Sequence, residues 1–226
     1  LGLAAIAWFN GNLRLALWVA VVPAVLSVLL VFALKEPERT PPKVRAERST
    51  VPLPRPFWQV AGTLAVFSLL NFPDALVLLR LHEIGFGVTG VILAYVGYNA
   101  VYAALSYPAG AVSDRLGPHK VIGLGLLVFA LAYAGLGATT DHLAAVALIG
   151  VYGVFTAFTD GVGKAWVSSI LPSDQQGTGQ GVFQGLLGVG VLSAGLWPGL
   201  AWGADGHLPL LISGTLAAVV GVFVLT

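Results

Sequence analysis

The sequence predicts an all-α, polytopic membrane protein. Charged residues make up only 9% of the chain, and the mean hydropathy is +0.89, whereas soluble domains contain roughly 25% charged residues. Apolar runs follow one another along most of the sequence, and a helix needs about 20 apolar residues to cross a bilayer. Backbone groups in lipid must be paired within the segment, so these runs are predicted to be helices. The alternating strands of about ten residues that typify a transmembrane β-barrel are not seen.

Seven apolar runs are predicted to span the membrane. They cover residues 14–34, 57–80, 88–112, 120–139, 143–170, 178–202 and 208–226. Residues 1–9 resemble the tail of an earlier span. Because the chain opens on Leu1 in an apolar stretch and contains no Met, we expect it to be a piece of a longer protein.

A polar segment separates the first run from the others. Residues 35–56 are rich in proline and hold six of the eleven Lys and Arg residues, which is typical of a solvated linker. Positive residues favour the cytoplasmic side, and alternating sides from there gives eight Lys and Arg inside against two outside. We therefore predict the end of an N-terminal helical bundle at 1–34, a cytoplasmic linker at 35–56 and a six-helix C-terminal bundle at 57–226. The expected location is a plasma membrane of the bacterial inner-membrane type.

Several function classes lack the residues that they require. There is no cysteine, which removes disulfides, thiolate nucleophiles and cysteine metal sites. Neither a nucleotide-binding Gly-x4-Gly-Lys-[Ser/Thr] loop nor an HExxH arrangement occurs. We expect no enzymatic activity, no catalytic residue, no cofactor and no metal. The net charge of +1 and the lack of a basic run with interleaved aromatics also argue against a nucleic-acid partner.

The stretch YPAGAVSDRLGPHK, residues 107–120, is the most polar short segment of the apolar region. Gly110 allows close helix approach and Gly117 allows a tight turn. Asp114 is placed to accept hydrogen bonds from a neighbouring helix N-terminus. Two cations that would hold this segment on the cytoplasmic side are Arg115 and Lys120.

This segment resembles the cytoplasmic signature of the major facilitator superfamily, G-x-x-x-D-[RK]-x-G-[RK]-[RK]. The matching residues are Gly110, Asp114, Arg115 and Gly117, while Pro118 and His119 replace two basic positions and Lys120 follows directly. Residues 70–80 resemble the outer half of the seventh helix of that family. Residues 158–184 resemble its tenth helix, the following loop and the start of its eleventh helix.

The resemblance implies helices six to twelve of a twelve-helix fold made of two six-helix bundles. It implies a secondary transporter that binds a small solute between the bundles and alternates access, with protons as the expected driving ion and a monomer when full length. The polar loop would act as a cytoplasmic gate. Few acids in an apolar cavity slightly favour efflux over import. The alternatives are a membrane channel or non-transporting scaffold, and a polytopic membrane enzyme.

Ionisable residues inside predicted spans are the first candidates for a solute or proton site, because burying them in lipid is costly. Asp74 follows Pro73 in the run 57–80 and is interpreted as a site for a proton or a cationic group. The alternative is that Asp74 caps a broken helix or pairs with Arg80 or Asn71. In the run 143–170, Asp160 and Lys164 have the i, i+4 spacing of a helical ion pair. They are interpreted as a structural pair at the cytoplasmic gate or, alternatively, as a second solute or proton site.

Two further groups of residues are singled out by their helical spacing. Tyr95, Tyr98 (or Asn99) and Tyr102 would form one polar-aromatic face that lines a pore or bonds to another helix. The glycines predicted to mediate close helix packing are Gly181, Gly185 and Gly188.

Overall fold

The computed structural model describes residue 8 and residues 13–33 and 52–226. The chain forms two compact units, residues 1–48 and residues 49–226, and the division lies inside the predicted linker. Most of residues 1–9 and most of the linker 35–56 lie outside the described residues. The tail at 1–9 and the linker therefore stay predictions, except that Arg55 and Pro56 at the end of the linker belong to a helix.

Apart from Trp8, the described part of the first unit is one helix, α1, which covers Leu13–Ala33 and matches the predicted run 14–34. Pro23 lies inside it, where a proline cannot donate to the helical ladder. The Ser27 hydroxyl donates to the Pro23 carbonyl at 2.8 Å. The large side chains described for α1 are exposed, as expected for a helix that faces lipid or other helices.

The second unit consists of seven helices and, in its described residues, no strand. The helices are α2 (Arg55–Ser68), α3 (Asp74–Ile84), α4 (Val88–Leu116), α5 (Pro118–Ala138), α6 (His142–Ile170), α7 (Gln176–Ala201) and α8 (His207–Leu225). Helices α4 to α8 are each long and apolar enough to cross a membrane. The predicted all-α, polytopic membrane class is confirmed.

The prediction that residues 57–80 form one helix is wrong, because the structure divides them into α2 and α3. Helix α2 ends at Ser68, and α3 begins at Asp74 after Pro73, whose φ of −55° and ψ of 138° are not helical. A proline disfavours helical geometry at the residue before it, so Phe72 cannot continue α2. Helix α2 closes with tight turns, in which Leu70 N donates to Phe67 O at 2.8 Å.

Side chains from other helices satisfy the backbone groups that this break leaves free. The Tyr133 hydroxyl of α5 accepts a hydrogen bond from Phe72 N at 3.1 Å. The Trp197 indole of α7 donates to Leu69 O at 2.8 Å. Because unpaired backbone groups are costly in lipid, these two bonds make the break a defined feature of the fold.

The expected loop between the fourth and fifth helices is reduced to a single residue. Helix α4 continues to Leu116, and Pro118 is the first residue of α5. Gly117 lies between them with φ of 88° and ψ of 144°, a backbone conformation that strongly favours glycine. Proline suits the first turn of a helix, where no backbone donor is needed, so α5 can begin directly after Gly117.

Small residues mediate the close packing of α5 against α8. A Cβ atom added to Gly214 would lie 2.8 Å from Ala134 N and 3.0 Å from Ala130 O. Gly123 and Gly221 approach each other in the same way further along the two helices. Glycine at such positions lets membrane helices approach closely.

Gly181, Gly185 and Gly188 were expected to have this packing role. In the described residues, a Cβ atom added to any of the three would meet no atom within 4 Å. On the same helix, Gly179 and Gly190 make the close contacts instead, with Leu171 and Ser68 respectively. The packing role of the three predicted glycines stays a prediction.

We predict that Gly214→Ala destabilises the protein by about 1–3 kcal/mol, since added volume in a tight contact forces the backbone to move. The measurement is thermal unfolding of the purified protein in detergent. Gly150→Ala is the matched control, because a Cβ atom at this α6 glycine meets nothing within 4 Å. Equal midpoints for both variants would contradict the assigned α5–α8 contact.

An aromatic cluster fills the space between α2, α5 and α6. The Phe129 ring lies 5.0 Å from Phe67, 3.9 Å from Tyr133 and 4.8 Å from Phe155, measured between ring centroids. The Tyr152 ring lies 5.7 Å from that of Tyr133. This packing restricts the rotamers of the two tyrosines, whose hydroxyl groups reach the break between α2 and α3.

Arg80 joins three segments at one end of the second unit. Only 3% of this residue is exposed. It donates to Leu136 O at 3.0 Å, Thr139 O at 3.0 Å and Asp205 O at 2.8 Å, and one guanidinium nitrogen lies 3.6 Å from the Asp205 carboxylate. The suggested pairing of Arg80 with Asp74 is therefore wrong, because the guanidinium is engaged at the end of α5 and in the loop before α8.

Candidate solute and proton site

A cavity of about 320 Å³ lies among α2, α6 and α7, with α3 and α4 contributing at one end. Aromatic and aliphatic side chains form most of its wall, and polar side chains are concentrated toward two ends. The polar lining residues are Ser68, Asn71, Asp74, Tyr98, Tyr152, Thr156, Thr159, Asp160 and Lys164. A mostly apolar cavity with a few polar groups is typical of a small-molecule site.

Asp74 forms one polar end of the cavity, in the first turn of α3. Its carboxylate accepts a hydrogen bond from the Tyr152 hydroxyl at 3.2 Å, and the same hydroxyl lies 3.2 Å from the Asn71 amide oxygen. Within the described residues, no Lys, Arg or His forms an ion pair with Asp74. The break between α2 and α3 places the Asp74 carboxylate at the N-terminus of α3, where the helix dipole favours negative charge.

The predicted tyrosine face of α4 follows α6 for two turns. The Tyr98 and Thr156 hydroxyl oxygens lie 3.3 Å apart, and the Tyr102 hydroxyl donates to the Asp160 carboxylate at 3.1 Å. Tyr95 stacks on Tyr98 with ring centroids 5.6 Å apart, and both adjoin a small crevice that reaches Asp74. The structure therefore assembles the three tyrosines along one interface.

Asn99, the alternative member of that face, is exposed and bonds within its own helix. Its amide nitrogen donates to Tyr95 O at 2.8 Å. Tyr98 occupies the position facing α6, because the helical period of 3.6 residues turns the next side chain away.

Asp160 and Lys164 form the other polar end of the cavity. They make an i, i+4 ion pair at 2.7 Å, with 44% and 46% of their side chains exposed. Along α6, Asp160 lies ~12 Å from Tyr152, at ~1.5 Å of rise per residue. Arg115 makes no hydrogen bond or ion pair with either residue.

Two residues of the signature line a second, smaller cavity of about 180 Å³ together with Asp160 and Tyr102. These two are Gly110 and Asp114, which lie in the last two turns of α4 rather than in a loop. Asp114 does not cap α5, because the N-terminus of that helix has no side-chain hydrogen bond. Arg115 and Lys120 are exposed. The role of this segment as a gate stays a prediction.

Tyr152 and Thr156 were not predicted as site residues, although their spacing identifies them. Tyr152, Thr156 and Asp160 are separated by four residues each, so they share one face of α6. Following this helix face from Asp160 toward the N-terminus identifies both Thr156 and Tyr152. No sequence signal indicated Tyr133, which reaches the site from α5 through packing.

The side chains at the two ends of the cavity suit the binding of a small organic molecule and a proton. Aromatic walls bind apolar or cationic groups, and a carboxylate without a cationic partner can take up a proton. No cluster of three or more His, Asp or Glu side chains that could hold a metal ion occurs in the described ranges.

Long apolar helices around a cavity with ionisable ends define a multi-pass membrane protein with an internal site. The family model of the Major Facilitator Superfamily matches residues 60–226, and the chain belongs to this superfamily, which confirms the resemblance. The chain is also similar to an uncharacterized MFS-type transporter of Methanocaldococcus jannaschii, with 26% identity over 218 residues. The match covers 94% of this chain and 55% of that relative, so the chain spans about half of its length. No solved structure matches the chain significantly.

Proposed function

We propose that the complete protein is a secondary active transporter that moves a small solute across the membrane by alternating access, with protons as the driving ion. The cavity is the observation that carries this proposal, because it combines an aromatic wall with Asp74, a carboxylate that has no cationic partner among the described residues. Membership of the superfamily supports a transporter over an enzyme or a scaffold. The mostly apolar wall favours small amphipathic compounds, and hence efflux over import.

Asp74 is the proposed proton site of this half. It lies beside the break between α2 and α3, so a change in its charge acts where the backbone leaves helical geometry. Asp160 is less suited, because Lys164 already compensates its charge at 2.7 Å. We assign the Asp160–Lys164 pair a structural role at the inner end of the cavity.

The Asp114 segment is the proposed gate on the cytoplasmic side. Asp114 and Gly110 share the smaller cavity with Tyr102 and Asp160, so closure there would cover the inner end of the solute cavity. The exposed Asp114 carboxylate is free to bind a basic partner from the other helical bundle in the inward-closed state.

The test uses the complete protein in proteoliposomes and a panel of small amphipathic compounds, including lipophilic cations. A carrier is expected to show saturable uptake, counterflow of labelled compound against unlabelled compound, and accumulation driven by a pH difference. Flux that does not saturate and shows no counterflow would instead favour a channel. Absence of both flux and binding across the panel would favour a scaffold.

We predict that exchanging the two charges, Asp160→Lys with Lys164→Asp, restores most of the transport lost in either single variant. An exposed i, i+4 pair contributes only about 0.3–0.5 kcal/mol, so the expected loss in the single variants comes from an unbalanced charge in the cavity and not from unfolding. Initial uptake rates at matched protein levels are the measurement. A double variant as inactive as the singles would instead assign Asp160 a direct role with solute or proton.

A further inference from the structure

We propose that Tyr152 is a positioning residue that transmits the protonation state of Asp74 to the break between α2 and α3, with Asn71 as its second hydrogen-bond acceptor. This inference rests on the proposed function, because it takes Asp74 as the site of the transported proton. It concerns how a proton bound at the cavity wall acts on the backbone of a cavity-lining helix.

The geometry at the Tyr152 hydroxyl carries the argument. Its oxygen lies 3.2 Å from Asp74 Oδ1 and 3.2 Å from Asn71 Oδ1. A tyrosine hydroxyl has one proton to donate, so it can make a full hydrogen bond to only one of these two acceptors at a time. Two acceptors at equal distance make its donor direction a two-position switch.

The charge of Asp74 decides which acceptor Tyr152 uses. An ionised carboxylate is the stronger acceptor, since hydrogen bonds to a charged group are roughly twice as strong as neutral ones. Tyr152 then donates to Asp74. Once a proton from water binds the carboxylate, Asp74 becomes a donor to the Tyr152 oxygen, and the Tyr152 proton turns to Asn71. Tyr152 keeps its own proton throughout, so only Asp74 gains one.

No other charged group described near Asp74 competes with this switch. The cation on its own helix, Arg80, is bound to Asp205, and Lys164 of α6 is paired with Asp160. The titratable groups that face Asp74 from the helices packed around it are all tyrosines, namely Tyr95 and Tyr98 on α4, Tyr133 on α5 and Tyr152 on α6.

Asn71 connects the switch to the backbone. It lies within the nonhelical residues between α2 and α3, and its amide oxygen is also 3.5 Å from the Tyr133 hydroxyl. Tyr133 in turn accepts from Phe72 N. Protonation of Asp74 therefore reverses the hydrogen bond between Tyr152 of α6 and the start of α3, and it adds a bond from Tyr152 to the break itself. At the break, Tyr133 of α5 already contacts the two consecutive residues Asn71 and Phe72.

The test is an infrared pH titration of the complete protein in lipid, which needs no identified solute. The carboxylic-acid C=O band of Asp74 is the one that Asp74→Asn removes, and its intensity against pH gives a titration midpoint. Asn71→Ala removes the acceptor used only when Asp74 is protonated. The net contribution of one neutral hydrogen bond changes an equilibrium constant by up to about tenfold. We therefore expect the titration midpoint to fall by roughly half to one pH unit in this variant. In a Tyr152→Phe background, the same Asn71→Ala change is expected to leave the midpoint in place.

Tyr98→Phe is the matched control for this titration, since it removes a tyrosine hydroxyl from the same cavity that makes no hydrogen bond to Asp74. Asn71→Ala is expected to shift the midpoint in the Tyr98→Phe background as it does in the unmodified protein. An equal shift in the Tyr152→Phe background would overturn the inference while leaving Asp74 as the proton site. Absence of any titrating band that Asp74→Asn removes would instead overturn the proton site, and the inference with it.

Discussion

Asp74→Asn is expected to abolish solute accumulation driven by a pH difference while leaving solute exchange largely intact. Asparagine keeps the size of the side chain and still accepts a hydrogen bond from Tyr152, but it cannot ionise. Coupling to one proton supports about tenfold accumulation per pH unit, because a factor of ten corresponds to ~1.4 kcal/mol. The variant should therefore equilibrate its solute without accumulating it, and the measurement is uptake into proteoliposomes at several imposed pH differences.

Asp174→Asn is the control for the same change of chemistry, since Asp174 is exposed in the turn before α7. It should accumulate solute as the unmodified protein does. Normal accumulation by Asp74→Asn at every pH tested would remove Asp74 from the coupling mechanism. Asp160 would then become the next carboxylate to examine, because it is the only other one that lines the described cavity.

Arg80→Gln is expected to cause the largest loss of stability among single changes of an ionisable residue in the second unit. The substitution removes donors to carbonyl groups at the end of α5 and in the loop before α8. Buried acceptors left without partners cost about 1–3 kcal/mol each, so several lost together should lower the unfolding midpoint by on the order of 10 °C. Thermal unfolding in detergent, followed by intrinsic fluorescence, measures this shift.

Two comparisons separate the hydrogen bonds of Arg80 from its charge. Asp205→Asn should have a smaller effect, because 57% of the Asp205 side chain is exposed and its carboxylate lies 3.6 Å from the guanidinium, while the hydrogen bond from Arg80 to the Asp205 carbonyl is kept. Arg80→Lys should recover only part of the stability, since a lysine cannot reach several carbonyls with one planar group. Arg55→Gln, at an exposed arginine, is the control. A midpoint loss in Asp205→Asn equal to that in Arg80→Gln would assign the effect to the ion pair instead.

Composition and periodicity were sufficient for the fold class and for most helices. The spans predicted at 143–170 and 208–226 lie within one residue of α6 and α8, because lipid requires long apolar segments with every backbone group paired. The spacing of Tyr95, Tyr98 and Tyr102 also predicted a shared face, since a helix repeats every 3.6 residues. The Asp160–Lys164 pair followed from the same geometry.

The partners of these residues depended on packing between helices. The apolar run 57–80 predicts one continuous helix. Only the positions of Tyr133 and Trp197 in the structure show how the backbone groups at the break before Pro73 are hydrogen-bonded. Arg80 illustrates the same limit, because its acceptors are carbonyl groups far away in the chain, and every residue type has such a group.

The sequence by itself determined that this chain forms a bundle of membrane-spanning helices with ionisable residues at defined heights along them. Helix length and residue spacing are local properties, which the hydropathy pattern records directly. Only the tertiary structure decided that Asp74 meets Tyr152 rather than Arg80, and that Gly214 carries a close helix contact. Those outcomes depend on how the helices rotate about their axes when they pack, and rotation is set by the shapes of all the facing side chains together.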